Sequence, residues 1–285
     1  MIPDYTELAA TLARISESVR PLRDEEILQG DATVLDPLFR ELDILAAQDV
    51  EPEIVERLLY AQELASVLPE ISRLRNLYSL RLEIQQARSL LENSHPWQAI
   101  QGFTFYPNYV QLAATEQQGA NLQPGDRVIF LGSGPLPLSL ILLCSEYGLN
   151  GLGIERDQDS AEFSRHLLEH LGMQEQISIL VGDHFTLHKE SKMVDCKLVM
   201  VAAMARPKQE IFRRLARILP ADSLVSYRLY EKGLRRILDQ EEDFLLPDAF
   251  SRHCRIPPRP PVNNTVVMVR KHPADHPFYF FGETL

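Results

Sequence analysis

FLGSGPLPLSLILL, residues 130–143, joins a short apolar run to a longer one through two glycines and two prolines. A chain that leaves a strand through Gly-x-Gly opens onto a ligand, because glycine allows the tight turn and the close approach of backbone to ligand. A dinucleotide turn would carry a third glycine for helix packing and aim free backbone N–H groups at a pyrophosphate. Here the third position is Pro137, and Pro135 removes a further donor. Proline fits the opening turn of a helix but has no N–H to give a phosphate. The turn keeps the close approach and gives up much of its anion-binding capacity. That combination favours a nucleoside without phosphates, S-adenosylmethionine rather than NAD.

Outward from this turn, short apolar runs alternate with amphipathic segments. Strands are expected at 128–131, 152–155, 177–181, 198–202, 224–228 and 265–270, with helices at 138–147, 159–171 and 209–219. Such alternation predicts a doubly wound, mostly parallel sheet. In that arrangement ligands bind at the carboxyl ends of the strands. Glu155, at the end of the second strand, is placed to accept from ribose hydroxyls, and Asp183, at the end of the third, from an adenine amine.

The preceding half reads as helical. Leu8, Leu12, Ile15 and Val19 recur at helical spacing, as do Leu58, Ala61, Leu64 and Val67. Asp36-Pro37 and Glu51-Pro52 are read as helix starts, with proline in the first turn. A long helix is expected over 70–92 and another over 108–117, with Ser94-His95-Pro96-Trp97 between them. The expected organisation is a helical domain at 1–118 and a Rossmann-like domain of the class I methyltransferase type at 119–285. Residues 256–262, Ile-Pro-Pro-Arg-Pro-Pro-Val, form an extended connector before the last strand.

The 285 residues are 45% hydrophobic and 24% charged, the composition of an ordinary globular protein. A net charge of −11 argues against a nucleic-acid partner, whose phosphates need Lys and Arg. No stretch reads as a signal peptide or a membrane span. Three scattered cysteines suggest a reducing, cytoplasmic setting. His166 with His170, and His184 with His188, have the spacing of metal pairs but no third ligand, so no enzyme-bound metal is expected.

Glu83 lies within the long helix between Leu82 and Ile84, and Phe103, Phe105, Tyr106 and Tyr109 follow it. A carboxylate near aromatics can hold a sulfonium or ammonium ion, or act as a base if burial raises its pKa. A helix glutamate is usually solvated, however, and aromatics at this spacing usually pack a core. The pattern leaves both readings open.

Residues 130–139 resemble the signature loop of the nicotianamine synthases, especially their short archaeal type. Leu82-Glu83, residues 94–97, the run 103–109, Val201-Ala202-Ala203-Met204 with Pro207-Lys208, residues 227–230 and residues 262–265 extend the resemblance, in order, over about 55–270. It implies a 3-amino-3-carboxypropyl (aminobutanoate) transferase. An amine would attack the γ-carbon of the S-adenosylmethionine arm and methylthioadenosine would leave, giving a nicotianamine-like metal chelator. The resemblance makes Glu83 the base and Tyr109 its partner. The donor would lie against Gly132, Ser133, Gly134, Pro135, Leu136, Glu155, Asp183, Ala202 and Ala203, and the second substrate against Tyr106, Leu138, Arg228 and Asn263. Arg228 is the candidate carboxylate clamp, by charge and place. Expected partners are small molecules only, S-adenosylmethionine with an amino acid or a second S-adenosylmethionine, and a homodimer is left open. Ser139 replaces a common threonine, and Arg206 stands where an acidic residue is usual, which leaves the first acceptor open. The alternatives are an N-methyltransferase on the same sheet and a non-catalytic ligand-binding protein.

Overall fold

The computed structural model describes residues 4–48, 50–187, 195–230, 233–238, 244–259, 262 and 264–273. The first half is helical: α1 (Tyr5–Val19), α2 (Asp24–Gln29), α3 (Ala32–Ala46), α4 (Pro52–Tyr60), α5 (Leu68–Glu92), α6 (Pro96–Ile100) and α7 (Tyr106–Ala120). Then come β1 (Arg127–Leu131), α8 (Leu138–Tyr147), β2 (Asn150–Glu155), α9 (Gln158–His170), β3 (Ile177–Val181), β4 (Cys196–Val201), α10 (Lys208–Ile218), β5 (Leu224–Leu229), α11 (Arg235–Leu238), β6 (Phe250–Ile256) and β7 (Thr265–Lys271). No helix among the described residues is long and apolar enough to cross a membrane.

The strands form one sheet in the order β3-β2-β1-β4-β5-β7-β6. The first five are parallel, and β7 runs antiparallel between β5 and β6. The chain reverses its direction of travel across the sheet at β1, between β2 and β4. The carboxyl end of β1 is therefore the topological switch point at which open sheets bind ligands. The expected α/β sheet preceded by a helical half is what the chain forms.

Two cores meet along α5. Its first half places Leu68, Ile71, Leu74 and Tyr78 in a helical core with Leu8, Leu12 and Ile15 of α1 and Leu35, Phe39 and Leu42 of α3. Leu234 and Ile237 join that core from the second half of the chain. The end of α5 places Ala87 and Leu90 in a different core, with Phe130 of β1 and Leu140 and Ile141 of α8. Each such buried Leu or Ile contributes about 1.5–3 kcal/mol relative to exposure. Two faces of one long helix thus fix the bundle against the sheet. Arg81 adds a lateral tie, donating to the Ile27 and Gly30 carbonyls (3.0 and 2.8 Å) at the end of α2.

Three sequence readings need correction. α3 starts at an Asp31 cap, whose carboxylate accepts from the Thr33 N–H at 2.8 Å, so Pro37 lies inside the helix instead of at its start. The frame that buries Leu35 and Phe39 outweighs the one bond that proline forfeits. The run Leu58 to Val67 is not one helix, because α4 stops at Tyr60 and a short 3-10 turn covers Gln62–Leu64. β6 was not expected: it is an edge strand whose Arg252, His253 and Arg255 break apolar alternation.

Candidate active site

The glycines of residues 132–134 adopt the conformations that the sequence asks of them. Gly132 and Gly134 have φ of +77° and +71°, a region side chains avoid. A Cβ would also be tight at each. One on Gly132 would stand 3.3 Å from the Ala202 and Ala205 methyls, and one on Gly134 2.9 Å from Glu83 Oε2. Pro137 caps α8, and the loop's free donor at Gly134 N gives its hydrogen to Glu155 Oε2 at 2.8 Å. The Ser164 hydroxyl donates to the Gly134 carbonyl at 2.6 Å. These bonds fix the loop before any ligand arrives.

Above the loop is a cavity of about 410 Å³, walled by α5 and α7 on one side and by the carboxyl ends of β1, β2, β4 and β5 on the other. Glu83 enters it from α5 and Tyr109 from α7. The Tyr109 hydroxyl donates to Glu83 Oε1 at 3.0 Å. Burial pushes the Glu83 carboxyl up to about 7. The Tyr109 hydrogen bond opposes that rise, and the nearby Glu155 charge adds to it. Burial, with the Glu83 charge next, holds the Tyr109 hydroxyl well above the ordinary phenol range. At neutral pH the site therefore holds a carboxylate poised to gain a proton beside a hydroxyl that keeps its own.

Gly132, Ser133, Gly134, Pro135, Leu136, Leu138, Glu155, Asp183, Ala202, Ala203 and Arg228 all line this cavity. Glu155 Oε1 also accepts from Asp157 N at 3.0 Å, and Asp183 Oδ1 from Phe185 N at 2.8 Å, so both carboxylates are oriented by their own loops. Lys208 holds the Ala203 carbonyl at 2.7 Å. Tyr106 does not line the cavity; it opens α7 and packs against the sheet-side core. Asn263 lies outside the described residues, while its neighbour Asn264 is buried on the cavity wall.

Arg228 reaches the cavity with its charge already engaged. It binds Glu116 of α7 in a bidentate pair (Nη2 to Oε2, 2.8 Å; Nε to Oε1, 3.2 Å) and donates to Ser139 Oγ at 2.9 Å. Ser226 donates to the same carboxylate at 3.2 Å. Burial opposes the Arg228 charge, but Glu116 outweighs it and the pKa stays above its ordinary value. Sequence reasoning missed Glu116, and also Arg75, Asn76, Ser79 and Asn108 on the α5–α7 wall. The available signals were Glu116 two turns beyond Tyr109, and Arg75 among the buried apolar positions of α5.

Among the described residues no group of three or more His, Cys, Asp or Glu is placed to hold a metal. His170 Nε2 is hydrogen-bonded to the Asn93 carbonyl at 3.0 Å, and His188 lies outside the described residues.

Fold and cavity define a class: an S-adenosylmethionine-dependent transferase in which a helix of the first half places a carboxylate over the Gly132–Gly134 turn. Within that class the chain belongs to the nicotianamine synthase family, whose sequence model (nicotianamine synthase protein) matches residues 5–276. It is 23% identical over 236 residues to the L-histidine 2-aminobutanoyltransferase of Yersinia pestis, covering 82% of this chain and 84% of that one. The crystal structure of MtNAS in complex with MTA and tNA superposes with a TM-score of 0.81 at 29% identity, over 94% of this chain and 98% of that one. A glutamate-to-glutamine variant of MtNAS in complex with S-adenosylmethionine also matches at TM-score 0.81 and 29% identity, over 93% and 98%. The activity is the family's: aminobutanoate transfer from S-adenosylmethionine in metallophore synthesis.

Proposed function

We propose that Glu83 is the base of this transfer and that Tyr109 orients it. The acceptor ammonium gives a proton to the Glu83 carboxylate. The freed nitrogen lone pair then attacks the γ-carbon of the aminobutanoate arm of S-adenosylmethionine. As the N–C bond forms, the C–S bond breaks and its electrons return to sulfur, so methylthioadenosine leaves as a neutral thioether. A base with a pKa of about 7 is matched to this work at neutral pH, since about half of it is ionised and it still takes a proton readily. In-line placement decides which S–C bond breaks. An arm that faces Glu83 yields aminobutanoate transfer, whereas a methyl that faces it yields methylation.

In this reading the adenosyl group lies along Gly132–Gly134 with its ribose on Glu155 and its adenine toward Asp183. The lobe at 1–118 caps the lobe at 119–285 and limits water around an electrophilic sulfonium. The acceptor is a free amino acid, in keeping with the name of the Yersinia relative, and the product is a chelator. A net charge of −11 fits small-molecule substrates without nucleic acid. The observation that carries the proposal is the Glu83 carboxylate held over Gly134. Its test is product analysis after incubation with S-adenosylmethionine and an amino acid. Methylthioadenosine is expected, and S-adenosylhomocysteine would contradict the reading.

A further inference from the structure

Arg75 lies on the bundle side of the cavity, about two turns before Glu83 on α5, and is only 8% exposed. Its guanidinium carbon stands 5.2 Å from the centre of the Phe39 ring and 5.7 Å from that of Phe105. One terminal nitrogen donates to the Ser79 hydroxyl, while Nε is buried with no hydrogen-bond partner among the described residues. Two carboxylates feel its charge, Glu83 in the cavity and Asp43 of α3. Neither forms an ion pair with it, nor does any other carboxylate of the described residues. A guanidinium removed from water without a counter-ion is costly, and aromatic faces offset only part of that cost. The wall of the cavity thus carries a buried positive charge that no carboxylate of the described residues pairs with.

We propose that Arg75 seats a carboxylate of the amine acceptor and thereby selects amino acids over simple amines. The assignment rests on the transferase reading above. Position separates acceptor from donor. The first half of α5, with Arg75, packs in the helical core, and the end of α5 packs on the sheet-side core next to β1 and α8. Glu83 lies between them, with Oε2 over Gly134. An amine delivered to Glu83 from the bundle side leaves the rest of its molecule beside Arg75, whereas the nucleoside lies beyond Glu83 on the sheet. The planar guanidinium fork matches a carboxylate in a way that a point charge does not.

The test is steady-state release of methylthioadenosine by the full chain, wild type against Arg75→Gln and Arg75→Lys, with L-histidine, L-glutamate and the carboxylate-free amine histamine. Loss of a charged hydrogen bond to the acceptor predicts an acceptor KM raised roughly 10- to 100-fold in Arg75→Gln. The KM for S-adenosylmethionine should stay within about twofold, and Arg75→Lys should recover only part of the loss. Wild type should use the better of the two amino acids at least about tenfold more efficiently than histamine. That arm needs no variant, so it decides the matter even if the substitutions unfold the bundle. An unchanged acceptor KM in a folded variant, a parallel rise in the KM for S-adenosylmethionine, or equal use of histamine by wild type overturns the assignment and leaves the transferase reading standing. If wild type releases no methylthioadenosine with any acceptor, the transferase reading itself falls and Arg75 with it.

Discussion

The Glu83 carboxylate lies directly over Gly134, so close that a methyl group on that glycine would come within 2.9 Å of Oε2. The two residues belong to different halves of the chain. Their contact joins the helical half to the Gly132–Gly134 turn, and most of the proposed chemistry depends on it.

Glu83→Gln removes the proposed base while keeping shape and volume. The rate should fall by about 10²- to 10⁴-fold. Binding of S-adenosylmethionine, measured by calorimetry, should persist, because the Gly132–Gly134 turn is held by Glu155 and Ser164. A variant that keeps more than about a tenth of the rate would remove Glu83 from the chemistry.

Gly134→Ala tests the contact from the other side. The added methyl meets the carboxylate, and at φ +71° any side chain is strained. Strain of about 1–2 kcal/mol leaves the protein folded. The displaced carboxylate should nonetheless cost a large part of the rate. Thermal melting and turnover, measured on the same preparation, separate the two effects.

The pH dependence follows from burial of Glu83. Its folded pKa of about 7 lies above the ordinary carboxylate value, so the reactive anion forms as pH rises through 7. The value of kcat/KM should climb through that range and level off above it. Stability runs the other way. A carboxyl with a raised folded pKa favours the fold when protonated, and that advantage is lost as pH rises from the unfolded value toward 7. Glu83→Gln should therefore gain stability over wild type between pH 5 and 8, by on the order of 3 kcal/mol at most. Paired unfolding curves across that range measure it.

Tyr109→Phe deletes the hydroxyl that donates to Glu83 Oε1. That bond holds the Glu83 pKa down against burial. Without it the rising limb of the rate profile should move to higher pH, and the maximal rate should fall. A limb that stays in place would separate Tyr109 from Glu83.

Arg228 and Glu116 fasten α7 to β5 beneath the cavity. Removing one partner strands a buried charge, so Glu116→Gln or Arg228→Met alone should cost about 3–5 kcal/mol in denaturant unfolding. The double substitution should recover much of this. Additive losses would mean that the pair is not an energetic unit.

Much of this architecture is written locally. Gly132-Ser133-Gly134, the apolar runs of β1 to β5 and acidic residues at strand ends need only neighbours and period to be read. Glu83 and Tyr109 stood out by family resemblance, because helical periodicity cannot tell a carboxylate facing a cavity from one facing water. Contacts that span the chain left no local trace. Arg228 has the charge expected of a clamp, but its partner Glu116 is 112 residues away on a helix of the other half. Nothing local sets Arg75 apart from an ordinary helix arginine; the aromatics that close around it come from α3 and the α6–α7 connection. β6 escaped because an edge strand need not alternate, and α3 was misplaced because proline is a weaker marker of a helix start than a capping aspartate.

The most direct test is to incubate the purified protein with S-adenosylmethionine and an amino acid and to identify both products by mass spectrometry. The account predicts methylthioadenosine and an acceptor enlarged by an aminobutanoate unit, formed in equal amounts and lost together in Glu83→Gln. S-adenosylhomocysteine with a methylated acceptor, or full turnover by Glu83→Gln, would contradict it.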